Sequence, residues 1–161
     1  MNIIFYIFVI LTIVGLDQYT KNLTVIFIKE SEEINIIDCF FRLINTKNYG
    51  AAFSIMQNQR IILIGLPIVV VLVLGFFLIK NKNKSKLETI SYLFIIGGGI
   101  GNLIDRIFNG YVIDFLDFNF GTYHYPTFNV ADSFATVGVI LLCIYFIFFD
   151  KKKDENNKNK N

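Results

Sequence analysis

The sequence predicts an all-α polytopic membrane protein: four transmembrane helices with a small sheet at one membrane face. Three observations predict it. Of the 161 residues, 54% are hydrophobic and only 17% are charged, against roughly a quarter charged in an ordinary soluble domain. Four apolar runs reach or approach the roughly 20 residues that a helix needs to cross a hydrocarbon core of about 30 Å. Nine of the twelve lysines collect in two stretches that fall on one side of the membrane if the four runs alternate. One membrane-embedded domain over residues 1–150 and a short basic tail over 151–161 account for this pattern.

The first span covers about residues 3–21, apolar from Ile3 to Leu16 and continuing through Asp17 to Lys21. No basic residue precedes it and no A-x-A-like site follows it, so it reads as a retained span rather than a cleaved signal peptide. The segment that follows is rich in β-branched and aromatic residues from Ile34 to Ile44, which suits a small sheet resting on the membrane surface. Asn48-Tyr49-Gly50-Ala51-Ala52-Phe53-Ser54 comes next, with small residues that let a backbone approach a ligand closely. The second span runs over 61–79 and contains Pro67; the third runs over 87–107. Gly97 and Gly101 inside the third span form a GxxxG spacing, which suits close helix packing. Asn109-Gly110 suggests a tight turn leading into Val112–Phe118, a short strand or an interfacial loop. The fourth span covers 130–149. Asn129 before it reads as an N-cap, with Asp132 three residues on as a variant capping box. A bilayer core offers backbone groups no water, so each run is expected to be helical.

Orientation follows from the lysines. Lys80, Lys82, Lys84 and Lys86 lie between spans two and three, and Lys151, Lys152, Lys153, Lys158 and Lys160 follow span four. Positive loops stay in the cytoplasm. Both termini are then expected inside, with residues 22–60 and 108–129 outside and the tail solvated and disordered. This topology brings most of the polar span residues to one face. Asp17 and Lys21 end span one; Asn102, Asp105 and Arg106 end span three; Asn129 and Asp132 begin span four. Asn48 and Asp114 lie in the outer segments. Ionisable groups at membrane depth are costly and are paired or functional.

Each residue also admits a purely structural reading. Asp17 and Lys21, four apart, suit an ion pair. Asn102 and Arg106 share a helix face and suit a clamp as well as a substrate contact. Asp132 suits a cap. Asp114 sits among apolar residues, an odd place for a merely solvated carboxylate, whereas Asp117 is expected to face solvent. Cys143, midway along an apolar run, is expected to be buried as a small apolar residue. Cys39 lies in a connecting segment, and the two cysteines define neither a disulfide framework nor a zinc site.

Several chemistries lack their residues. His124 is the single histidine; it lies between two tyrosines in a loop, and no HExxH, GxSxG or P-loop accompanies it. Aspartate remains. Two carboxylates held close cannot both ionise easily, so the pair offers a base for water and an acid for a carbonyl oxygen. That is aspartic-peptidase chemistry. The residues nominate Asp17, Asp105, Asp114 and Asp132 without choosing a pair. A transporter or channel subunit would place its charges nearer mid-bilayer, and a scaffold would need no two carboxylates in one cleft.

Five ordered motifs then carry a resemblance. They are Asp17-Gln18-Tyr19-Thr20-Lys21, Asn48 to Ser54, Gly98 to Arg106, Val112-Ile113-Asp114-Phe115, and Phe128-Asn129-Val130-Ala131-Asp132-Ser133. From the first span to the fourth, the chain resembles the bacterial lipoprotein signal peptidases, also called signal peptidase II. The resemblance implies an aspartic endopeptidase of the cytoplasmic membrane, without cofactor or metal, and an extracytoplasmic β-cradle. Its substrates would be diacylglyceryl-modified prolipoproteins, cleaved just before the lipidated cysteine. Catalysis would fall to Asp114 and Asp132. Asn48, Gly50, Asn102, Arg106 and Asn129 would line or support the site, and Asp17, Lys21 and Asp105 would stabilise it. Membrane lipid and globomycin-type cyclic peptides are the other partners implied; nucleic acid is not.

Overall fold

A computed structural model describes residues 2–30, 32–50, 59–80 and 85–150. Helix α1 spans Ile3–Phe27, α2 Arg60–Lys80, α3 Lys86–Phe108 and α4 Val130–Tyr145, the last continued by a π-helical turn to Asp150. Each span is long and apolar enough to cross a membrane, with mean hydropathy of 1.8, 3.2, 1.4 and 2.2 along the chain. α3 is the least apolar because it is the central helix, packed against α1, α2 and α4. The other three turn apolar side chains such as Phe8, Leu72 and Ile140 outward, where lipid rather than protein covers them. The expected spans are all present; α1 alone runs well past its expected end at Lys21, to Phe27.

Burial inside the bundle is a different matter from apolarity. Cys143 was expected to be buried and is instead exposed on the outer surface of α4. In a bilayer an apolar residue is as comfortable against lipid as against protein, so hydrophobicity does not set the rotation of a span.

The segment expected to form a sheet resolves into two strands, β1 (Glu33–Ile37) and β2 (Phe41–Asn48). Cys39 turns between them with φ of 57° and is exposed. After the turn at Asn109-Gly110, where Gly110 takes φ of 82°, β3 (Val112–Phe120) decides that stretch in favour of a strand, and β4 (Tyr123–His124) folds back on it. The sheet is antiparallel in the order β1-β2-β3-β4. It lies at the end of the bundle where α1 and α3 finish and α2 and α4 start. Alternation along β3 puts Val112, Asp114, Phe118 and Phe120 on one face, all lining a single cavity. Asp117 falls on the other face. Expected to meet solvent, it is fully buried, because Arg42 lies directly opposite it on β2 and its guanidinium pairs with the carboxylate. His124 also meets that carboxylate.

Glycines let α3 sit close to its neighbours. A Cβ at Gly98 would stand 2.3 Å from the Ala131 carbonyl oxygen and 3.0 Å from the Ala135 nitrogen. One at Gly101 would stand 2.7 Å from Asp17 Oδ2. Gly75, with nothing within 4 Å of the same added atom, faces outward. Gly98→Ala is therefore expected to destabilise the protein by about 1–3 kcal/mol, since backbone rather than a flexible side chain must give way. Gly75→Ala should leave thermal unfolding in detergent unchanged or slightly raised; equal melting for the two variants would contradict this packing.

Candidate active site

The polar residues of α1, α3, β2, β3 and α4 form one connected network in two layers. The lower layer is built on Lys21. Its ammonium lies 2.8 Å from Asp17 Oδ2 and 2.7 Å from Asp105 Oδ2, and donates to Asn102 Oδ1 at 2.9 Å. Two ion pairs and one hydrogen bond compensate the ammonium, which is what permits a lysine only 3% exposed and two aspartates no more exposed. Asp17 also reaches α4: its Oδ1 accepts from the Ala131 N–H at 2.9 Å. That N–H belongs to the first turn of the helix and has no partner within it, and the helix dipole there favours negative charge. Asp17 is thus both an ion-pair partner and a helix cap supplied by another helix.

The upper layer holds the remaining acids. Asn102 donates through Nδ2 to Asp132 Oδ1 at 2.7 Å. Asn129 and Asp132 form the full reciprocal capping box: the Asp132 N–H donates to Asn129 Oδ1 at 2.9 Å, and the Asn129 N–H to Asp132 Oδ2 at 3.3 Å. The Asn129 amide nitrogen donates to Asp114 Oδ1 at 2.7 Å and to Asn102 Oδ1 at 3.1 Å. Asn48 donates to Asp114 Oδ2 at 2.8 Å and accepts from the Gly50 N–H at 2.8 Å. Arg106 then holds the Gly50 carbonyl at 3.1 Å. The cap reading of Asp132 and a place in the site are both realised, because one carboxylate oxygen serves each.

Asp114 and Asp132 line one cavity of about 560 Å³ together with Asn48, Asn102 and Arg106. Much of the rest of its wall is apolar, including Phe118, Phe128 and Val137. Burial, and then the nearby charge of Asp132, push the Asp114 carboxyl up to about 6. The bonds from Asn48 and Asn129 and the charge of Lys21 act the other way, so at neutral pH this acid is poised near its own titration.

Comparison with known proteins decides what this arrangement belongs to. The family model for signal peptidase (SPase) II matches residues 9–148. The chain is 39% identical over 152 residues to the lipoprotein signal peptidase of Francisella tularensis subsp. novicida, covering 91% of this chain and 94% of that one. It is 40% identical to the lipoprotein signal peptidase of Bacillus pumilus, covering 94% and 98%. A bacterial membrane enzyme solved by the in meso method at 2.3 Å resolution superposes with a TM-score of 0.85 at 31% identity, covering 97% of this chain and 92% of that one.

The chain belongs to the signal peptidase II family. It is an aspartic peptidase, a hydrolase embedded in a membrane by its four spans. Within this signal peptidase II fold, every residue nominated from the sequence joins the network or its cavity. Of the stretch Asn48 to Ser54, expected to approach a ligand, residues 51–54 lie outside the described residues. Sequence reasoning missed Gln18, whose amide donates to Asp105 Oδ1 at 3.1 Å and to the Gly101 carbonyl at 3.2 Å. It also missed the cavity-lining Ala135 and Thr136. These last two had a signal, since three and four residues after Asp132 share its helix face.

Asn48 offers a separate check on Asp114. Its bond favours the charged carboxylate, so Asn48→Ala makes the proton harder to remove. If activity needs one proton on the pair, it is lost as pH rises through the upper apparent pKa. The alkaline limb of the pH–activity profile should then move upward, by about 0.5–1 pH unit for one hydrogen bond of ordinary strength. A downward move would assign Asp114 the wrong state.

Proposed function

We propose that this chain removes signal peptides from diacylglyceryl-modified prolipoproteins, cleaving just before the lipid-bearing cysteine with water activated between Asp114 and Asp132. The observation that carries the reading is that these two acids, Asp114 buried and Asp132 half-buried, share one largely apolar cavity, tied to each other through Asn129 and Asn102. Asp132, at a helix N-terminus, takes the proton from water. Asp114, in its apolar strand, holds the shared proton and donates to the carbonyl oxygen of the scissile bond. Water oxygen bonds to the carbonyl carbon to give a gem-diol; as the C–N bond breaks, the proton taken from water passes to the leaving cysteine nitrogen and one hydroxyl proton of the gem-diol returns to Asp114. Asn48, Asn102 and Asn129 hold the two carboxylates, while Arg106 fixes Gly50 at the rim. Asp17, Lys21 and Asp105 brace the layer beneath. The apolar wall suits a signal peptide and its lipid, and globomycin-type cyclic peptides would compete for the same space.

The sheet end is placed on the extracytoplasmic side of the inner membrane, with both termini and the basic 151–161 tail in the cytoplasm. A substrate that spans the membrane presents its cleavage site at that boundary, where water is also at hand. The test is cleavage of a prolipoprotein with and without its diacylglyceryl group. The lipidated form should be cut and the unlipidated one spared; equal cleavage of both would remove the lipid from the reading. Orientation is checked by cysteines placed at Asn58, Ser85 and Lys152 in a Cys39→Ser background. Only the first should react with an impermeant reagent in intact cells, and labelling at Ser85 would reverse the topology.

A further inference from the structure

A second, smaller cavity of about 200 Å³ adjoins the first and is lined by Asn48, Tyr49, Arg60, Leu63, Arg106 and Gly110. Among the described residues two arginines line it and no carboxylate does. Arg106 and Asn48 line both cavities, so this pocket shares a wall with the candidate active site. Arg60 is exposed. Its Nη2 donates to the Ile107 carbonyl at 3.1 Å and the Arg106 carbonyl at 3.5 Å, which anchors the first residue of α2 to the last turn of α3. Those bonds leave its Nε and Nη1 without an acceptor among the described residues. Arg106 Nε is buried and likewise has no hydrogen-bond partner. Two guanidiniums with spare donors around a small cavity form a site for an anion with several acceptor oxygens.

The position indicates which anion. Arg60 opens a membrane span, and the next residue, Ile61, is 89% exposed on the lipid side. The pocket therefore sits at the depth of the first helical turn, the level at which phospholipid phosphates lie. A phosphodiester offers two unesterified oxygens, one for each guanidinium. We propose that this pocket binds a phosphate group, that of an anionic phospholipid, beside the peptidase cavity. A phospholipid headgroup held there would set the surroundings of Arg106 without entering the chemistry.

The test is native mass spectrometry of the whole protein released from micelles containing phosphatidylglycerol, with and without added inorganic phosphate. The wild-type protein should retain about one phosphatidylglycerol. Arg60→Gln should lower that retention about fivefold or more, and Arg60→Lys should restore part of it. Leu63→Phe, which fills the pocket and leaves both arginines in place, should lower retention as well. It keeps the test decisive if Arg60→Gln loosens the helix contact. Displacement by millimolar inorganic phosphate would identify free phosphate as the occupant; retention despite it identifies the lipid headgroup. Unchanged lipid retention in both Arg60→Gln and Leu63→Phe, each still folded by thermal melting, would overturn the proposal.

Discussion

Replacing Asp132 by Asn is expected to lower prolipoprotein cleavage by about 10²–10⁴-fold, the usual scale for losing a positioned acid or base, while the protein still inserts and accumulates. The reason lies in how the carboxylate divides its work. Oδ2 completes the capping box by accepting from the Asn129 N–H, and an Asn oxygen can do the same. Oδ1 accepts from Asn102, and the residue lines the cavity; no amide can take a proton from water there. Asp114→Asn should be as severe for activity and carry a similar cost in stability, because both oxygens of each carboxylate accept a hydrogen bond. Both Asp114 oxygens accept, one from Asn48 and one from Asn129, and an amide can satisfy only one of those donors, at a cost of about 1–3 kcal/mol. Rates on a lipidated substrate, measured beside thermal melting, separate the two effects. Wild-type cleavage by Asp132→Asn would leave that residue a cap and nothing more.

The four spans were legible because the bilayer leaves so few alternatives. A long apolar run in lipid must be a helix, and length alone marks it. The convergence of acids at one end was legible for the same reason, since charge is confined to the span ends. What the sequence withheld was pairing across elements. Asp117 looked solvent-facing because its strand neighbours say nothing of Arg42, which the β2–β3 register places opposite it. Cys143 looked buried because apolarity suggests a core in water, but not in lipid. The end of α1 was missed because Lys21 resembled a terminal charge, whereas two aspartates and an asparagine neutralise it inside the bundle. Composition nominated four aspartates, and the family motifs narrowed them to two. The network adds a physical distinction: Asp17 and Asp105 are bound to a lysine, while Asp114 and Asp132 are held by asparagines and line the cavity.

Lys21→Met is expected to destabilise the protein more than any other single change considered, by about 3–5 kcal/mol, the cost of leaving buried charge without its partner. Asp17 and Asp105 are 0% and 3% exposed, so water cannot replace the ammonium. Either loss alone, Asp17→Asn or Asp105→Asn, leaves Lys21 one carboxylate and should mainly lower abundance and melting temperature, by less. Adding both substitutions to Lys21→Met removes the stranded charge and should recover a large part of the stability. Activity should not recover with it. Lys21 has only donors, so it fixes Asn102 with Oδ1 toward the ammonium and Nδ2 toward Asp132. With methionine at position 21 the Asn102 Oδ1 keeps only the longer bond from Asn129, and the donor that Asn102 offers Asp132 is less firmly directed. The triple variant should therefore melt near the wild-type temperature in detergent while its kcat stays at least about tenfold low, the loss that one misdirected hydrogen bond of about 1.4 kcal/mol produces. Full activity in a refolded triple variant would show that Lys21 braces the bundle without orienting the site above it. A Lys21→Met protein as stable as the wild type would show that the lower layer is not the charged brace described here.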